Sequence, residues 1–131
     1  MKTSSCKAKG RKLQKEIAEF ISSVTGIECG KDCLIQSREM GQSGVDIKLI
    51  GEAVKLYPFS IECKNSETWA LPAAIKQAKA NVKEGTAWQI FLSKNRFDTV
   101  MVMDAETWFE VWKELLESRK EKEYRKGGIN V

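Results

Sequence analysis

Val45-Asp46-Ile47-Lys48-Leu49-Ile50 and Phe59-Ser60-Ile61-Glu62-Cys63-Lys64 both alternate apolar with polar residues. That period of two is the mark of half-buried strands. Gly51 and its polar neighbours form a turn between them, so a hairpin-like connection is expected to set the two strands side by side. Glu62 and Lys64 then project from one face of their strand, while Phe59, Ile61 and Cys63 take the other. Asp46 falls at the start of the preceding strand, where it can lie alongside Glu62.

Outward from this pair, the pattern continues in both directions. Lys7 to Val24 reads as a helix, because Leu13, Ile17, Phe20, Ile21 and Val24 recur on one stripe. Gly26 is its stop. A short strand is expected from Cys33 to Arg38, ended by Gly41-Gln42-Ser43-Gly44. On the other side, a helix from Ala70 to Val82 tolerates Pro72 in its first turn and buries Leu71, Ile75, Ala78 and Val82. Strands follow at 87–92 and 99–103, with a polar turn from Ser93 to Asp98. Asp104 is placed to cap a last helix carrying Trp108, Phe109, Trp112, Leu115 and Leu116. The order α-β-β-β-α-β-β-α predicts an α/β fold, a mixed sheet flanked by helices. The 131 residues are expected to form one domain, with a flexible leader over 1–8 and a charged tail over 119–131.

Composition narrows the chemistry. With 42% apolar and 31% charged residues, the chain has a globular profile. It contains no histidine. That excludes Ser-His-Asp and Cys-His nucleophilic catalysis, histidine acid–base work and every histidine-ligated metal site. The N-terminus has no signal-peptide pattern and no apolar run has membrane-spanning length, so a cytoplasmic protein with no membrane partner is expected. The four cysteines do not suggest a disulfide scaffold. Cys29 and Cys33 have knuckle-like spacing but no second ligand pair, so buried thiols are the better reading.

Two carboxylates and a lysine remain on adjacent strands. Asp46 and Glu62 can hold a hard divalent cation through oxygen. Lys64, on the face of Glu62, can orient a water and offset charge in a phosphoryl transition state. The set suits metal-dependent phosphodiester hydrolysis without histidine. A competing register, Asp32 with Asp46-Ile47-Lys48, also fits, but it leaves Glu62 and Lys64 unexplained. On an exposed sheet all of these would be ordinary surface charges.

Gly41-x-x-Gly44-x-Asp46 followed by Glu62-Cys63-Lys64, behind a basic helix containing Glu16, resembles the PD-(D/E)xK nuclease superfamily. Within it, the small Holliday junction resolvases of archaea and phages are most similar, over Lys9 to Leu116. The resemblance implies a restriction-endonuclease-like fold and an Mg²⁺- or Mn²⁺-dependent endonuclease with no organic cofactor, acting on four-way DNA junctions as a homodimer. It assigns metal binding to Asp46, Glu62, the Cys63 backbone carbonyl and Glu16, water activation to Lys64, and a supporting role to Ser43. Val45 stands where the family pattern has proline.

The supporting residues also have plainer readings. Glu16 can simply pair with Lys12 across one helical turn, Ser43 can serve only the turn, and Gln77 can be a site-lining or a solvated residue. Lys9, Arg11, Lys12, Lys15 and Arg38, with Gln77, are the candidate DNA contacts, and the net charge of +4 agrees with a modest phosphate-binding surface. No base-reading helix or aromatic stacking platform is legible, so recognition by backbone shape is expected.

Overall fold

The order of elements in the computed structural model is α1 (Lys2–Thr25), β1 (Ile35–Ser37), β2 (Ile47–Leu49), α2 (Glu52–Leu56), β3 (Phe59–Asn65), α3 (Leu71–Ala80), β4 (Ala87–Lys94), β5 (Phe97–Met103) and α4 (Ala105–Gly127). It describes residues 2–37 and 44–127, with side chains over 8–37 and 44–126. Arg38, Gly41 and Ser43 lie outside the described residues.

The five strands make one mixed sheet in sequence order, β1-β2-β3-β4-β5. Both β1–β2 and β2–β3 are antiparallel, with Ile47 opposite Ile61. The β3–β4 pair is parallel, in register from Phe59 opposite Ala87 to Asn65 opposite Ser93, and β5 returns antiparallel to β4. A parallel neighbour cannot be reached by a tight turn, and α3 makes the crossover. The chain is therefore α/β, a five-stranded mixed sheet flanked by helices.

The alternation in β3 divides the core into two. On one face, α1 packs Leu13, Ile17, Ala18 and Ile21 against Ile35, Ile47, Ala53 and Ile61, with Cys63 at the margin. On the other, Ala74 and Ala78 of α3 meet Ile90 and Leu92, with Trp69 and Trp88 beside them. Ser60, Glu62 and Lys64 share the α3 face, as the alternation requires.

Several expectations are corrected. α1 begins at Lys2, ahead of the Lys7 start expected from the sequence. Phe20 and Val24, expected on its buried stripe, are 68% and 73% exposed. The buried stripe runs through Gln14 and Ala18 instead, because α1 covers the β1–β3 half of the sheet. The stretch after Gly51 is a short helix, α2, which buries Ala53 completely in the core. Val82 lies beyond the end of α3, and Ala74 takes the buried position expected for it. The β4–β5 turn is only Asn95-Arg96: Lys94 already pairs with Phe97, and Arg96 supplies a left-handed φ of 55°. The tail continues α4 to Gly127. Asp104 does cap that helix, its Oδ2 accepting the Thr107 N–H at 3.1 Å.

Candidate active site

β2 starts at Ile47, two residues later than the alternation from Val45 suggests, and Asp46, left ahead of the strand, builds the site. Asp46 still donates its backbone N–H to the Ile61 carbonyl at 2.8 Å. Strand pairing proper stops at Ile47, so the next β3 donor facing this way, the Cys63 N–H, has no strand opposite. The Asp46 side chain takes over: its Oδ2 accepts the Cys63 N–H at 2.7 Å. This is a charge-assisted bond to backbone, and it fixes the carboxylate against β3. Alternation along a strand directs the Cys63 carbonyl to the same edge as its N–H.

Glu62, one residue back, is 2% exposed on the α3 face. The Asn81 Nδ2 donates to its Oε2 at 3.3 Å and reaches toward the Gly44 carbonyl at 3.5 Å. Two residues on, the Lys64 Nζ donates to the Gln77 Oε1 at 2.9 Å. Gln77 and Asn81 are four apart, so they share one face of α3 and its end. That helix face seats on the sheet through Ala74 and Ala78, small enough to bring both amides down to β3. Gln77 is an exposed residue that nonetheless contacts Lys64. Asn81 went unnoticed in the sequence, although its spacing from Gln77 was the available signal.

The Cys63 thiol reports the charge around it. Burial, and then the negative charges of Asp46 and of Glu62, push it well above its ordinary range. Glu62 acts on the thiol from the adjacent residue of β3, and Asp46 from the carboxylate that accepts the Cys63 N–H.

Other sequence candidates go elsewhere. Glu16 does not join Asp46 and Glu62; it lines a groove of 510 Å³ with Phe20, Phe91, Val100 and Met101. On α1 it neighbours Ile17 and Phe20, and that side of the helix leads over β4 and β5. Among the described residues, no group of three or more Cys, Asp or Glu side chains is gathered to hold a metal ion. The available donor set is thus two carboxylates and a backbone carbonyl, all oxygen. It fits a hard cation that keeps several waters, the usual habit of Mg²⁺. Asp32 sits in the turn before edge strand β1, with a φ of 63°. Cys29, Cys33 and Cys63 are free thiols.

Basic residues border this end of the sheet. The Lys9 carbonyl accepts the Asn65 Nδ2 at 2.9 Å, tying the first half of α1 to the end of β3 just past Lys64. Arg11, Lys12 and Lys15 are exposed on that helix, and Lys76 and Lys79 on α3. Among the described residues, no helix is long and apolar enough to cross a membrane. Compared with family models, curated proteins and solved structures, the chain gives no match.

Proposed function

We propose that the chain is a metal-dependent DNA endonuclease with a restriction-endonuclease-like fold, selective for branched DNA, with the four-way junction as its substrate. One observation carries this reading. Asp46 leaves the β-ladder to fix its carboxylate on the Cys63 N–H, beside Glu62 and within two residues of an amide-held Lys64. A strand built only for stability would put another backbone at that position.

Asp46, Glu62 and the Cys63 carbonyl would hold Mg²⁺ or Mn²⁺. The bound ion supplies Lewis acidity and a water made acidic enough to attack phosphorus. The protein's own groups do the rest. Asn81 fixes the Glu62 carboxylate, so that its second oxygen keeps one orientation. Gln77 holds Lys64 toward the α3 side, where its ammonium can offset charge developing on the phosphate. The basic residues of α1 and α3 bind the flanking backbone, a contribution that weakens as salt rises. DNA as substrate and free thiols both suit a cytoplasmic setting, in a prokaryotic or virus-infected cell.

Symmetric cleavage of a junction needs two sites, and the proposal includes a homodimer. α4 makes only glancing contact with every other element, and Phe97, Val100 and Met101 leave β5 open at the sheet edge. Asp104 alone joins β5 to α4, and its carboxylate caps the helix. At ~200 Å² per ring, Phe20, Phe97, Trp108, Phe109 and Trp112 leave about 550 Å² open per chain. With Val24, Val111 and Leu116 the open area approaches the ~800 Å² that each partner buries in a stable pair. A second copy supplies both the missing helix and the missing groove.

Labelled four-way junction, flap, single-strand and duplex DNA, each with Mg²⁺ or with chelator, test the activity. Metal-dependent cutting of the junction is expected, with Asp46→Asn and Lys64→Ala abolishing cleavage while retaining binding. Intact DNA in every Mg²⁺ reaction, despite normal binding, would sink the proposal. Cutting by either variant would reject the assigned residues.

A further inference from the structure

Next to Lys64 lies a small pocket, 180 Å³ in volume, that hydrolysis as described does not use. Trp69 forms one wall, Ala73 and Ala74 of the first turns of α3 another, and Leu92 lies at its base; Lys64 and Gln77 stand at the side nearest the carboxylates.

The indole is held in place from several directions. Its Nε1–H donates to the Ser93 carbonyl at 3.3 Å. Phe97 meets it edge-on at 5.5 Å between ring centroids, and the Lys94 Nζ lies 4.9 Å from its centroid. The loop before it is tied to the β4–β5 hairpin by Ser66 N–H to the Ser93 carbonyl at 3.2 Å and by Asn95 N–H to Glu67 Oε2 at 2.9 Å. An aromatic wall fixed in this way loses little entropy when a ligand arrives. The alanines opposite leave room that larger side chains would fill.

The pocket's size and chemistry select its occupant. At ~30 Å³ per water, it has the space of about six waters, room for one flat ring system but not a base pair. Trp69, the alanines and Leu92 give it apolar walls, Ser66 and Thr68 add polar groups, and Lys64 and Gln77 bring an ammonium and an amide. We propose that it takes one unpaired nucleobase of the cleaved strand, stacked on Trp69, next to the phosphate presented to Lys64. This rests on the nuclease reading and adds the source of its selectivity. Extracting a base from an intact duplex costs a few kcal/mol, and least where pairing is already lost. A pocket that must be filled favours branch points.

The test uses junctions carrying an abasic residue at each position around the cut in turn. Binding is measured in chelator by fluorescence anisotropy and cleavage in Mg²⁺, with wild type and Trp69→Leu, which keeps apolar bulk but offers no ring face. Base stacking of this kind is worth about 5- to 150-fold. One abasic position should weaken wild-type binding by that factor. Trp69→Leu should weaken the intact junction equally and show no further loss with the abasic strand. Losses that multiply, or binding indifferent to every abasic position, overturn the proposal. Ala73→Phe, which fills the pocket from an exposed helix position, should reproduce the loss should Trp69→Leu fail to fold; unchanged junction selectivity in it overturns the proposal too. Failure of the nuclease reading is seen separately, as absence of Mg²⁺-dependent cutting on every DNA while the binding comparison still reads out.

Discussion

Asp46 has two jobs that can be separated by substitution. Its Oδ2 is the acceptor for the Cys63 N–H, and its charge acts on the Cys63 thiol. Asp46→Asn keeps an oxygen at the same place and removes the charge; Asp46→Ala removes both. Leaving a largely buried backbone donor without its acceptor costs about 1–3 kcal/mol. The alanine variant should therefore be less stable than the asparagine variant by about 1–3 kcal/mol. Urea unfolding followed by tryptophan fluorescence gives the difference, provided the slopes agree. In a chain of this length each kcal/mol moves the melting temperature by about 4 °C, so scanning calorimetry is a second measure. Equal stability of the two variants would refute the assignment of the Cys63 bond to this side chain.

Alkali should destabilise the fold through two groups. Burial raises the Cys63 thiol, helped by Asp46 and Glu62, and burial raises the Tyr57 hydroxyl, partly countered by its bond to Gln89. Both protons are held more tightly in the folded chain. Their contribution is complete below the unfolded values, 9.0 for the thiol and 10.0 for the phenol, and is lost as pH rises from there through the folded values. Cys63→Ala should flatten the loss that begins near pH 9.0, and Tyr57→Phe the part above 10.0, in urea midpoints taken across that range. A wild-type midpoint unchanged throughout would contradict both shifts. Native Cys63 should also alkylate far more slowly at neutral pH than after unfolding in urea, because the thiolate is the nucleophile; equal rates would count against its burial. For the dimer, Phe109→Glu with Trp112→Glu should convert a two-copy species to monomer in sedimentation velocity while leaving circular dichroism unchanged. A wild-type monomer at tens of micromolar would remove the homodimer.

What the sequence showed and what it hid follow from the reach of each rule. Alternation over 59–64 assigned β3 and its two faces correctly, because a period of two is local. It did not show that β2 begins at Ile47, since the end of pairing depends on how the partner strand diverges, and the Asp46–Cys63 bond exists only through that divergence. The stripe on α1 was misjudged at Phe20 and Val24. A helical wheel locates the apolar side but not how far the sheet extends beneath it, and here it leaves that end of the helix uncovered. α2 was missed because five residues carry too little periodicity to oppose a turn reading at Gly51. Trp69 stands alone in its stretch and gave no sign of a stacking surface. Its position comes from Ser93, Lys94 and Phe97, more than twenty residues away in the chain.

The parallel pairing of β3 and β4 ties these features together. It obliges the chain to cross over the sheet, and the crossover helix must lie on the face that carries Glu62 and Lys64. Alanine at 74 and 78 lets α3 approach closely, and one turn beyond each buried contact its face presents an amide, Gln77 to Lys64 and Asn81 to Glu62. The loop entering that helix runs from the end of β3 and is pinned to the β4–β5 hairpin, which sets Trp69 beside Lys64. Carboxylate, ammonium and aromatic wall are thus placed by one β3–α3–β4 unit. A substitution that lifts α3, such as Ala78→Leu against a side chain 1% exposed, would disturb all three at once, whereas changes on α1 at Glu16 would touch none of them.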